Sequence, residues 1–160
     1  MKENSMKKPN KIPYSRKLLI EKKLERILIN LDLKFKKLEL PKNDCFYIVN
    51  LESLFNELEN LDVLLSFFGN KNELLVLCPN IYKLKKEDST LSVLSALNKA
   101  NLKLAGGTVT LSDDGNVVYR RVERFDRADS LTKLNILNIF NDIIASIIYT
   151  TKEIKDIRKY

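Results

Sequence analysis

Between Leu131 and Thr151, residues Ile136, Leu137, Ile139, Phe140, Ile143, Ile144, Ile147 and Ile148 recur at helical spacing and cover more than half of a helix circumference. A helix that apolar must be buried on two sides, either deep in a core or against another subunit. Asp129 or Ser130 stands where its N-cap is expected. Ile136, Ile139 and Ile143 are therefore the positions expected at a homodimer surface, and the rival arrangement packs the first helix of the chain across the last.

The sheet that such a helix needs is written upstream. Gly106-Gly107 opens a hairpin in which Thr108–Leu111 alternates, Ser112-Asp113-Asp114-Gly115-Asn116 turns and Val117–Val122 returns. Gly115 is expected at positive φ. Three further strands are expected at Phe46–Val49, Val63–Phe68 and Leu74–Leu77, the last two joined by Gly69-Asn70-Lys71-Asn72. Leu51–Leu61 reads either as a short helix or as an extension of the flanking strands. Asp88 and Ser89 offer caps for a helix ending near Asn101, with Leu91, Leu94 and Leu97 on its buried side. From about Arg16, Ile20, Leu24, Ile27, Leu28, Leu31, Phe35 and Leu38 lie along one helical face, and Pro41 closes that helix. The order α-β-β-β-α-β-β-α, with short turns between successive strands, predicts an α+β fold: an antiparallel sheet of about five strands with helices packed on it. Residues 1–15 read as a flexible basic arm, and 16–160 as a single domain.

The chain offers little to a catalyst. It has no histidine, which removes the commonest general base and metal ligand. Its two cysteines, Cys45 and Cys78, stand apart in apolar stretches, so they read as buried free thiols of a reducing compartment and not as a zinc site. Nucleotide-binding, hydrolase and metalloprotease motifs are absent, and Asp113-Asp114-Gly115-Asn116 lacks the remaining ligands of a calcium loop. The expectation is a non-enzyme with no cofactor and no metal. No run approaches the roughly 18 unbroken apolar residues of a membrane span, and no apolar run follows the basic N-terminus. A cytoplasmic protein is expected, with no membrane insertion.

Charge is placed unevenly. Residues 1–43 hold 13 Lys/Arg against 5 Asp/Glu, a net of +8, and the remaining 15 against 16 give −1, which together make the chain's +7. Lys22, Lys23 and Arg26 on the first helix, and Tyr119, Arg120 and Arg121 on the last strand, are the candidate partner-binding residues. Sequence-blind, salt-dependent contact with nucleic acid through the basic arm and first helix is one reading. A solvated lysine-rich face is the other.

A resemblance bears on the choice. Leu91-Ser-Val-Leu-Ser-Ala-Leu-Asn98-Lys-Ala-Asn101, then Gly106-Gly107-Thr-Val-Thr-Leu111, then Asp113-Asp114-Gly115-Asn116-Val-Val-Tyr119-Arg120 resembles the YbjN-like proteins. In those, a helix ending in an LN…N pattern leads through a strand and an acidic-glycine turn to a strand ending in a Tyr/Arg pair. The resemblance covers about 30 residues, and it implies the fold shared with the bacterial class I type III secretion chaperones. It also implies a homodimer and a protein client. The function expected is thus a non-catalytic protein-binding module, chaperone-like or regulatory, with a nucleic-acid-binding accessory protein as the alternative.

Overall fold

The computed structural model describes residues 14–40, 44–52, 54, 61–67, 73–125, 127 and 130–157. The turn expected at Gly69–Asn72, most of the 51–61 segment, the Asp129 cap and residues 1–13 of the basic arm lie outside them. Tyr14 and Ser15, assigned to the arm from sequence, already belong to the first helix.

That helix, α1, runs Tyr14–Asn30 and stops well short of the Pro41 boundary. Its end is a Schellman motif. Asp32 takes φ 54, its N–H donates to the carbonyl of Ile29 (2.9 Å), and the N–H of Leu33 donates to that of Leu28 (3.1 Å). Leu28 and Leu33, the two positions that such a motif brings into apolar contact, are both buried. Phe35 and Leu38 continue the helical spacing on paper, but they fall in β1, Phe35–Leu40. The sheet gains an unexpected sixth strand this way.

The remaining elements follow the expected order. They are β2 (Asp44–Asn50), β3 (Asp62–Phe67), β4 (Glu73–Lys83), α2 (Thr90–Asn101), β5 (Thr108–Leu111), β6 (Asn116–Arg124) and α3 (Lys133–Ile157). The strands form one antiparallel sheet in the order β1-β2-β3-β4-β6-β5. Gly115 takes φ 80 in the β5–β6 turn, as the hairpin requires. The cap of α3 is Thr132. Its hydroxyl accepts the N–H of Asn135 (3.2 Å), and the Asn135 side chain accepts the N–H of Thr132 (3.0 Å), a reciprocal capping box.

Register decides which residues face the helices. Tyr47 pairs with Leu65, Leu65 with Val76, Val76 with Arg121, Cys78 with Tyr119, and Tyr119 with Val109. Paired residues share a face, so this row, with Val49, Val63, Phe67, Leu74 and Val117, makes the floor of the core. Ile20, Leu24, Ile27 and Leu28 of α1 complete that core, together with Val93, Ala96, Leu97 and Ala100 of α2 and Ile136, Ile139, Phe140 and Ile143 of α3. On α2 the buried stripe differs from the leucine stripe expected: Leu91 and Leu94 are exposed, because Ala96 and Ala100 occupy the side turned to α3 and β5. On α3, the residues expected at a dimer surface lie inside: Ile136, Ile139 and Ile143 are at most 1% exposed. The sheet and α2 cover them within one chain. α3 alone among the described helices is long and apolar enough to cross a membrane, and here it lies on the sheet.

Candidate interaction surface

Tyr119 and Arg121 belong to the interior. The Tyr119 hydroxyl donates to Asp142 of α3 (2.5 Å), and Arg121 donates to the same carboxylate (3.1 Å) while pairing with Glu123. Burial first, and then the Asp142 carboxylate, hold the Tyr119 hydroxyl above its ordinary range. The Gly106-Gly107 turn lies against these two side chains. A Cβ on Gly107 would come within 2.2 Å of the Tyr119 ring, and one on Gly106 within 2.5 Å of the Arg121 guanidinium. A similar group ties α1 to the other half of the sheet: the Tyr47 hydroxyl donates to Glu25 (2.9 Å), and Lys37 bridges Glu25 (3.1 Å) and Glu21 (3.4 Å). Both groups satisfy buried polar atoms between helix and sheet. They hold the layers in place.

Of the other candidates, Lys22 and Arg26 are exposed on α1 and Lys23 is half-buried. Arg120 is exposed on the opposite side of the sheet. The six candidates thus divide between the α1 surface, the interior and the far sheet face, and form no single cluster. Cys45 and Cys78 are buried free thiols, pushed up to about 11 and about 12 respectively, chiefly by desolvation. No group of metal-ligating side chains occurs among the described residues.

The far face is where the molecule departs from an ordinary two-layer fold. An antiparallel sheet with helices on one side normally turns polar residues outward on the other. Two rows of outward positions cross the middle of the sheet. One row runs Lys36, Ile48, Leu64, Leu77, Arg120; the other runs Leu38, Phe46, Ser66, Leu75, Val122. Seven of these ten are aliphatic or aromatic. Val122 is 41% exposed, the rest of the apolar set is half-buried, and none of them packs against the core cluster. The band crosses five strands, and no described helix lies on it. A contiguous apolar band of this kind on a monomer marks a contact surface.

Sequence reasoning missed these residues, although a signal for them exists. Phe46-Tyr-Ile-Val49, Val63-Leu-Leu65 and Leu74-Leu-Val-Leu77 are unbroken apolar runs. In an antiparallel strand such a run means that both faces are covered, because alternation is the mark of one covered face.

No family model matches the chain, and no curated protein matches it in sequence. Solved structures do. An uncharacterized protein from Methanothermobacter thermautotrophicus superposes with a TM-score of 0.58 at 14% identity, over 86% of this chain and 97% of that one. A chain of the HopA1-SchA chaperone-effector complex superposes with a TM-score of 0.55 at 13% identity, over 85% of this chain and 94% of that one. At such identities it is the fold that is shared, and the chain has a chaperone-like fold.

Proposed function

We propose that the chain is a non-catalytic, chaperone-like protein-binding module whose binding surface is the outer sheet face. The observation that carries this reading is the apolar band of Leu38, Phe46, Ile48, Leu64, Leu75, Leu77 and Val122, which no described helix covers. Water against such a band is unfavourable by about 25 cal/mol per Å² of apolar surface, so a protein partner that covers it gains what its own ordering costs. The fold shared with a chain of a chaperone-effector complex supports a protein partner.

A photo-crosslinking amino acid placed at Leu77, on the outer face, and separately at Lys22, on α1, tests the proposal in lysate of the source organism. Protein adducts through Leu77 that survive nuclease treatment are expected. Adducts formed only through Lys22, and lost on nuclease treatment, would replace this reading with nucleic-acid binding through the basic helix.

A further inference from the structure

Resting on that reading, we infer that the occupant of the outer face is an amphipathic helix of a partner protein with an acidic residue at each end of its apolar stripe, and not a second copy of this chain. The charges at the ends of the band specify this. Row one begins at Lys36 on β1 and ends at Arg120 on β6, with Ile48, Leu64 and Leu77 between them. Neither cation has a carboxylate partner among the described residues, whereas Arg124, two same-face pairs further along β6, is matched by Glu73 (3.0 Å). The two lone cations stand four strand spacings apart, about 19 Å at roughly 4.8 Å per spacing.

A second copy meets this surface badly. Laying the face on its own copy requires a two-fold axis in the plane of contact. With the axis along the strands, Lys36 of one copy meets Arg120 of the other. With the axis across the strands and along row one, Lys36 meets Lys36. Both of these registers set cation against cation at the ends of the apolar rows, and like-charge juxtaposition at an interface is costly.

An extended segment meets it badly too. Its peptide N–H and C=O groups would lie against aliphatic side chains with no bond to make. A helix satisfies its own backbone and presents an apolar stripe. At 1.5 Å rise per residue, about 13 residues of helix span the distance between the two cations. Such a helix adds a third layer to the sheet, the arrangement that buries both of its faces.

The test uses two synthetic fluorescein-labelled helical peptides and the full chain, read by anisotropy. Both carry leucines at i, i+3, i+4 and i+7; one has glutamates about 13 residues apart at the ends of the stripe, and the other has lysines there. The glutamate peptide is expected to bind about tenfold tighter, from two exposed ion pairs made in place of two repulsions. The double variant Lys36→Glu, Arg120→Glu should reverse the preference, and Leu64→Ser should weaken both peptides. Both side chains reversed are exposed, so the urea midpoint should hold and separate loss of binding from loss of fold.

Equal binding of the two peptides, unchanged by charge reversal but weakened by Leu64→Ser, overturns the acidic-ended helix and leaves the apolar face standing. Binding of neither peptide, with a sedimenting species at twice 18.6 kDa that Leu64→Asp splits, assigns the face to a second copy and overturns the inference. Binding of neither by a species of 18.6 kDa overturns both the inference and the proposed surface.

Discussion

Gly107 has no room for a side chain, and the reason lies twelve residues further on. The ring of Tyr119 fills the space a Cβ would take, and Tyr119 is held there by its bond to Asp142. The glycine pair was legible in sequence as the opening of a hairpin. Its second task, receding from a buried tyrosine and an arginine, was not, because it depends on which parity of β6 faces the helices. Val117 and Tyr119 share that parity with Arg121 and Glu123, and two charged residues in the series disguised an inward face as an outward one. Gly107→Ala is expected to lower stability by about 1–3 kcal/mol, the ordinary cost of overpacking, read as a fall in the urea midpoint with the slope unchanged. An unchanged midpoint would mean that the turn moves aside freely. Cys78 offers a second measurement at this scale. Desolvation lifts its thiol from 9.0 to about 12, so the folded chain holds a proton that the unfolded chain releases once pH passes about 9. The unfolded state then binds fewer protons, and stability must fall as pH rises between about 9 and 12. Urea midpoints at pH 8 and 10.5 should show the fall, and Cys78→Ala should lessen it; a variant that tracks the parent at both pH values would remove the thiol as its source.

At the scale of elements, β1 shows where periodicity stops being decisive. Phe35 and Leu38 fit a helical stripe that begins at Ile20, and nothing in the side-chain pattern breaks there. What breaks is the backbone at Asp32, where an aspartate takes the left-handed conformation more usual for glycine. Aspartate tolerates that region, but it is too common in helices and loops to announce it. The edge strands carry a device equally invisible to pattern reading. Asn101, the last residue of α2, donates through its side-chain amide to the Val109 carbonyl (3.0 Å) and accepts the Val109 N–H (2.7 Å). It therefore binds β5 as a neighbouring strand would, and closes the middle of that edge to other chains. Asn101→Leu should cost about 1–3 kcal/mol for two lost bonds to the backbone of Val109, a buried residue. It should also raise light scattering at high concentration, as the opened edge pairs between molecules. Loss of stability without association would confine Asn101 to a local role.

At the scale of the whole molecule, the described helices cover one face of the sheet and leave the other uncovered, and that asymmetry was the part of the architecture least legible beforehand. Element order and antiparallel pairing followed from turns and spacing, because those signals are local. The side of a strand that faces the core is set by a parity of one residue, and in runs such as Leu64-Leu65 both parities are leucine. The same ambiguity hid the outer face, since residues that look like core on both sides give no reason to separate two sheet faces. The structure separates them through adjacent positions of identical chemistry. Leu65 is fully buried against the helices, and Leu64 is half-buried on the outer band. Leu65→Ala should cost about 2–5 kcal/mol, the range for a leucine removed from a packed core. Leu64→Ala removes the same atoms from a surface that water already reaches, and should cost about 1 kcal/mol or less. Urea unfolding of the two variants side by side measures the difference with the substitution held constant. If Leu64 proves as costly as Leu65, the outer band is already covered within the chain itself, and a partner has nothing there to bind. If the costs separate as expected, and Leu64→Ala also lowers the yield of adducts through Leu77, the free energy left out of folding at this face is what the partner recovers.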